Sequence, residues 1–92
     1  MVATILVEKE NINKEHFCNA DLNESIKNEI NKKLFDAMML GNTHHHKVNI
    51  EFQTTEGIKT VFTTVWATTD NYIILKDGKY IPINSIVYVH LD

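Results

Sequence analysis

The run Thr63–Leu91, TTVWATTDNYIILKDGKYIPINSIVYVHL, constrains this chain more than any other stretch, because turn chemistry punctuates it every few residues. Between the turns stand Val, Ile, Thr, Tyr and Trp, side chains that suit a pleated, half-buried surface. Tyr72–Leu75 is too short for a helix and lies between Thr69-Asp70-Asn71 and Lys76-Asp77-Gly78-Lys79. Asp and Asn bond their own backbone and tolerate left-handed geometry. Asp-Gly between two apolar runs is the strongest short hairpin signal, and it predicts a positive φ at Gly78. Tyr80–Ile83 carries Pro82, which assigns it to an edge or bulged position. After a break at Asn84-Ser85, Val87, Val89 and Leu91 alternate with Tyr88 and His90, as in a half-buried last strand.

Upstream, Val2–Val7 is a short β-prone run, and Glu8–Glu15 is polar without a period, reading as a linker or the first turn of a helix. Asp21-Leu22-Asn23-Glu24 fits a capping box with Asp21 as the cap. From there Leu22, Ile26, Ile30, Leu34, Ala37 and Met38 recur at helical spacing, predicting a helix over about residues 22–40. Gly41-Asn42 is expected to close it, glycine being the usual residue just past a helix end. Val48, Ile50 and Phe52 then alternate with polar residues, and Glu56-Gly57 makes a turn. In Ile58–Thr68 the apolar side switches: Val61, Val65 and Ala67 share one parity, Phe62 and Trp66 the other. A strand that bends between two packed sheets, or that is bulged, accommodates both sets.

The 92 residues form one domain, divided into an N-terminal strand and linker (1–20), a helix (21–42) and a β region (47–92). A net charge of −3, no arginine and dispersed lysines argue against nucleic acid as the partner. Cys18 is the only cysteine, so an intrachain disulfide is excluded and a reducing compartment is expected; it reads as a half-buried hydrophobe. No run approaches the roughly 18 apolar residues of a membrane span. The opening MVATILVEKE lacks a basic leader and a cleavage site, so the expected location is cytoplasmic.

A helix, a strand VNIEFQTTEG, a long bent strand, YIILKDG, and IPINSIVYV running through a one-turn break resemble the small SH3-like and Sm-like barrels. In layout the chain is most similar to the bacterial Sm-like RNA chaperones, from about Asp21 to Leu91. The resemblance implies an α+β, mainly β fold: an N-terminal strand and helix, then a five-stranded, strongly bent antiparallel barrel. It does not carry the RNA pocket with it. Phe62 stands where that family has a second glycine, Thr68 where it has an aspartate, and Lys79-Tyr80-Ile81-Pro82 lacks its Lys-His pair.

Two groups of residues are candidates for a site. His44 and His46, in the run His44-His45-His46, project to one side if that segment is extended, within reach of one transition-metal ion. The bland alternative is an exposed histidine run at a helix end, where protonated imidazoles are favourable. Trp66 is expected in the core or between sheets; the alternative is a peptide-binding aromatic with Tyr72, Tyr80 and Tyr88 as companions. No triad, glycine-rich phosphate loop or zinc-hydrolase motif is present, and no cofactor is expected. The expected function is therefore a non-catalytic module acting by protein–protein contact or self-association, as a monomer or homodimer. The alternatives are an Sm-like RNA-binding protein and, third, a small enzyme or histidine-based metal-binding protein. Pro82 in the penultimate strand argues against the edge-to-edge rings of Sm-like proteins.

Overall fold

The computed structural model describes residues 5–91. Its elements are β1 (Ile5–Leu6), a 3-10 segment (Lys9–Lys14), α1 (Glu24–His44), β2 (Val48–Thr54), β3 (Gly57–Thr63), β4 (Val65–Thr68), β5 (Tyr72–Leu75), β6 (Tyr80–Pro82), a 3-10 turn (Ile83–Ser85) and β7 (Ile86–His90). The fold is α+β, with one helix and two sheets ordered β1-β3-β2-β7 and β4-β5-β6. No closed ring of strands is found among the described residues. The first residues of the expected Val2–Val7 strand lie outside them; its remainder pairs parallel with β3, Ile5 opposite Lys59 and Leu6 opposite Thr60.

The strand Val48–Thr54 alternates as its pattern predicts, with Val48, Ile50, Phe52 and Thr54 buried. The long run after it breaks at Thr64, so that β3 pairs with β2 in one sheet and β4 pairs with β5 in the other. The two apolar parities are not both buried, however. Val61 and Val65 point into the core, whereas Phe62 and Trp66 are exposed. Changing sheets relieves the need to bury both sides of one strand. Gly57 (φ 115°) and Gly78 (φ 86°) take the positive φ that the two hairpin turns require. At the second turn Gly78 N–H donates to Leu75 O (2.9 Å), and Leu75 N–H donates to Lys79 O (2.7 Å).

Two helix boundaries differ from the sequence expectation. The cap is Asn23, not Asp21: Asn23 Oδ1 accepts from Ile26 N–H at 2.9 Å. Either residue type satisfies an orphan N–H, so capping chemistry alone does not separate the two positions. At the other end the helix runs past Gly41 to His44 and stops at His45, whose φ of 53° is left-handed. Gly41 is buried instead of capping, and a Cβ there would fall against the Val65 carbonyl oxygen and 2.8 Å from Thr64 Cγ2. Its missing side chain lets the helix backbone press directly on β4. Of the expected stripe, Ile30, Leu34 and Ala37 are buried, Leu22 and Met38 are partly buried, and Ile26 is exposed.

The polar N-terminal segment is an ordered strap. Val7 N–H donates to Thr60 O (2.7 Å), and Ile12 on the 3-10 segment is wholly buried. Phe17 bridges Thr54, with Cys18 N–H on Gln53 O and Thr55 N–H on His16 O, each 3.0 Å. This takes up the end of β2 where β7 no longer reaches. Phe17 lies 5.4 Å from Phe52, ring centre to ring centre, and Ala20 N–H donates to Asn84 O (2.7 Å). Val7 and Ile12 from the strap, three helix residues and the inner faces of both sheets form one core. Among the described residues, no helix is long and apolar enough to cross a membrane.

Replacing Asn23 by Ala should lower stability by about 1 kcal/mol, whereas Asp21→Ala should leave the urea midpoint unchanged. Gly41→Ala separates propensity from packing. Helix propensity alone would stabilise by about 1 kcal/mol, but a methyl group driven into the β4 backbone costs about 1–3 kcal/mol. A net loss in urea or thermal unfolding is the expected result.

Candidate functional site

The three-stranded sheet β4-β5-β6 has one buried face, made by Val65, Ile73, Leu75 and Ile81. Its register places the other face in rows: Tyr72 opposite Pro82, and Ile74 opposite Tyr80 and Ala67. A register shift between Val65 and Ala67 inserts Trp66 as the extra residue of a bulge beside Ala67. The outer face is consequently aromatic and apolar. Trp66 is 48% exposed, Tyr72 39% and Tyr80 58%. Tyr72 and Tyr80 touch across the two strands with ring centres 5.0 Å apart and planes inclined by 35°. Aromatic pairs in offset or tilted contact stabilise each other by about 0.5–1.5 kcal/mol beyond their area, which favours a pre-set platform.

Two turns hold that platform. Before Tyr72, Thr69 Oγ1 accepts from Tyr72 N–H (3.0 Å) and Asn71 N–H (3.2 Å) and donates to Tyr72 O (2.9 Å). Thr69 N–H reaches the same carbonyl at 2.8 Å. Before Tyr80, the Asp77 carboxylate accepts from the Lys79 backbone N–H and from Lys79 Nζ, both at 3.2 Å. Partial burial raises the Asp77 carboxyl pKa, but the Lys79 bonds outweigh it and hold the group below its ordinary value. Ile74, Ala67 and Pro82 complete the face. The parity of Tyr72 with Ile74 and of Tyr80 with Pro82 is the sequence signal for them.

Tyr88 is not brought to this platform. It lies on β7 in the other sheet, with Lys33 Nζ 3.9 Å above its ring centre and bonded to its hydroxyl, and His90 edge-on at 4.7 Å. His90 Nε2 in turn bonds Glu51 Oε2. The histidine run is not extended as the metal expectation supposes. His44 ends the helix, His45 is the left-handed cap, and His46 Nε2 bonds Leu91 O at 2.7 Å. Helix and left-handed cap break the alternation that would align His44 with His46. Among the described residues, no three His, Cys, Asp or Glu side chains converge to hold a metal ion.

One ionic cluster lies elsewhere. Lys59 Nζ bonds Glu15 Oε1 (2.7 Å) and Glu56 Oε1 (2.8 Å), fastening the strap to the β2–β3 hairpin. The Lys59 and Glu15 side chains are only 10% and 13% exposed. Those bonds raise the Lys59 pKa above 10.5, and Lys59 lowers Glu56 below 4.5. A buried ammonium costs solvation that two carboxylates offset, so the pairs clamp the strap to the hairpin.

The Glu56 contribution is complete above its ordinary value and is lost as pH falls through its lower folded value. The Lys59 contribution is complete below its ordinary value and is lost as pH rises through its higher folded value. Thermal midpoints followed from acid to alkaline pH should decline at both ends, and Lys59→Met should flatten that part of the profile. Compared with known protein families, curated proteins and solved structures, the chain matches none.

Proposed function

We propose that this chain is a non-catalytic interaction module of SH3-like or Sm-like layout that works by protein–protein contact through the outer face of β4-β5-β6. The observation that carries this is the row of exposed aromatics, Trp66, Tyr72 and Tyr80, fixed on one short sheet. Exposed Trp and Tyr on a rigid surface are the side chains most enriched at the energetic centres of interfaces. Their fixed rings bind extended or proline-rich segments at low entropic cost. The layout is supported by the strand that changes sheets at Thr64 and by the 3-10 turn Ile83–Ser85 that carries β6 into β7 beside β2. The lone, half-buried Cys18 fits a reducing, cytoplasmic setting.

The RNA-binding alternative calls for a clustered basic rim. Lys33 faces Glu29, Lys59 faces Glu15 and Glu56, and Lys79 faces Asp77. These three of the nine lysines are partnered by carboxylates, which weakens their attraction to phosphate.

Trp66 is the reporter for a test. Titrating the protein with an array of extended and proline-rich peptides should shift Trp66 emission for at least one of them. Tyr80→Ala should then weaken that binding by about 2 kcal/mol, roughly thirtyfold, while lowering stability only by about the 0.5–1.5 kcal/mol of the ring contact with Tyr72 and leaving the fold intact. Silence across the array, with submicromolar affinity for an A- or U-rich oligomer at physiological salt, would transfer the proposal to RNA.

A further inference from the structure

We infer that the cleft between the first turns of α1 and the 3-10 turn before β7 is a binding site for a free aliphatic α-amino acid. The inference does not rest on the aromatic face of β4-β5-β6.

The end of the strap, α1, the β4–β5 turn, and the 3-10 turn with the start of β7 meet around this cleft. They enclose a cavity of about 120 Å³. Backbone bonds hold its walls together. Ala20 N–H donates to Asn84 O (2.7 Å), and Ile83 N–H donates to Asn71 O (2.9 Å). The 3-10 turn is fixed from within, since the buried Ser85 Oγ donates to Pro82 O (2.7 Å) and Ile86 N–H donates to Ile83 O. The cavity is therefore formed before any ligand arrives, the usual condition of a small-molecule site.

Its floor is aliphatic. Ala20, Ile30 and Ile86 are buried there, and Leu22 and Ile83 pack against the core. An apolar cavity of about 150 Å³ holds a benzene-sized body, so this one suits an aliphatic group of about three or four carbons.

Its mouth carries opposite charges. Lys27 comes from α1 and Asp70 from the β4–β5 turn, with Asn31 and Asn84 beside them. Among the described residues none of these side chains makes a hydrogen bond or an ion pair, and Lys27 and Asp70 do not meet each other. Lys33, Lys59 and Lys79, by contrast, each reach a carboxylate. A ligand that fills the gap needs a carboxylate for Lys27, an ammonium for Asp70 and an aliphatic group for the floor. A free aliphatic amino acid carries all of these on one carbon. A simple acid would face Asp70 and a simple amine would face Lys27, so each meets repulsion that the zwitterion avoids. The Asn31 and Asn84 amides offer donors and acceptors to the same head group. A wider trough past Phe35, Thr68 and Thr69 shares Asn31, Asp70 and Ile83 with the cavity and provides the way in.

Nuclear magnetic resonance titration of the intact, isotopically labelled chain with L-valine and L-leucine tests this. Saturable shifts are expected at Ala20, at residues 83–86 and at the Asn31 and Asn84 side-chain amides. The expected Kd is below about 1 mM, in keeping with a ligand of about eight non-hydrogen atoms. Isocaproate and isoamylamine, which are leucine without its amine and without its carboxylate, should bind at least about tenfold more weakly, as should glycine. Lys27→Met should weaken leucine about tenfold while leaving isoamylamine no weaker; Asp70→Asn should do the same while leaving isocaproate no weaker. Neither substitution removes a contact that holds the fold, and loss of structure would weaken every ligand alike. Tyr80→Ala should leave leucine binding unchanged, which separates this site from the peptide-binding face. Absence of shifts at about 10 mM leucine overturns the inference. So does glycine or a singly charged analogue binding as well as leucine, or a leucine affinity indifferent to both substitutions.

Discussion

Both sheets draw a strand from the single run Gly57–Thr68, and the break at Thr64 is the constraint on which the rest of the architecture depends. Up to Thr63 the run pairs with β2; from Val65 it pairs with β5. Thr63, Thr64 and Val65 are all buried, so the corner itself lies inside the protein. Lys76 N–H donates to Thr64 O at 3.1 Å, which satisfies a carbonyl that would otherwise be stranded between two ladders. The helix then seats over that corner, and only a residue without Cβ fits at the point of closest approach. A core gathered from two sheets, a helix and a strap follows from that one change of direction.

The polar groups drawn into this core are matched as tightly as the apolar ones. Thr54 Oγ1 donates to Gly57 O at 2.8 Å and accepts from Glu56 N–H at 3.1 Å, fixing the first hairpin turn from within. Ser85 does the same for the 3-10 turn through Pro82 O. Lys59 reaches Glu15 on the strap and Glu56 in the hairpin turn. Among the described residues no buried side-chain nitrogen or oxygen lacks a partner. Each such group, left unmatched, would cost about 1–3 kcal/mol, a sizeable part of the total stability of a domain this small.

The surface divides along the same geometry. Because the three-stranded sheet is packed on one side only, the parity that buries Ile73, Leu75 and Ile81 obliges Tyr72, Ile74 and Tyr80 to look outward. The bulge at Trp66 adds the largest side chain in the protein to that face.

Much of this was legible in the chain. Strand β2, the turns at Gly57 and Gly78, and most of the helix stripe follow from alternation, Asp-Gly chemistry and three-and-four spacing, all local properties; β7 departs from the expected alternation of Val87, Val89 and Leu91, because a bulge at Val87 buries Ile86 together with Val89. The switch of parity in Ile58–Thr68 points to a break in the strand, but not for the reason the pattern suggests, since Phe62 and Trp66 stay exposed and enter no second packed face. Elsewhere local chemistry points to one solution and the fold takes another, or leaves two open. Asp21 reads as the cap and Gly41 as the helix end, whereas Asn23 caps and Gly41 is a buried contact point. Trp66 suits the core or the surface, and His44 with His46 suits an extended pair or a helix end. Each was decided by contacts between residues far apart in the chain: β4 against Gly41, Leu91 O at His46, Ile74 opposite the bulge. Local pattern fixes which faces are apolar, but only the packed structure decides which apolar face is covered, because coverage depends on what the rest of the chain brings to it.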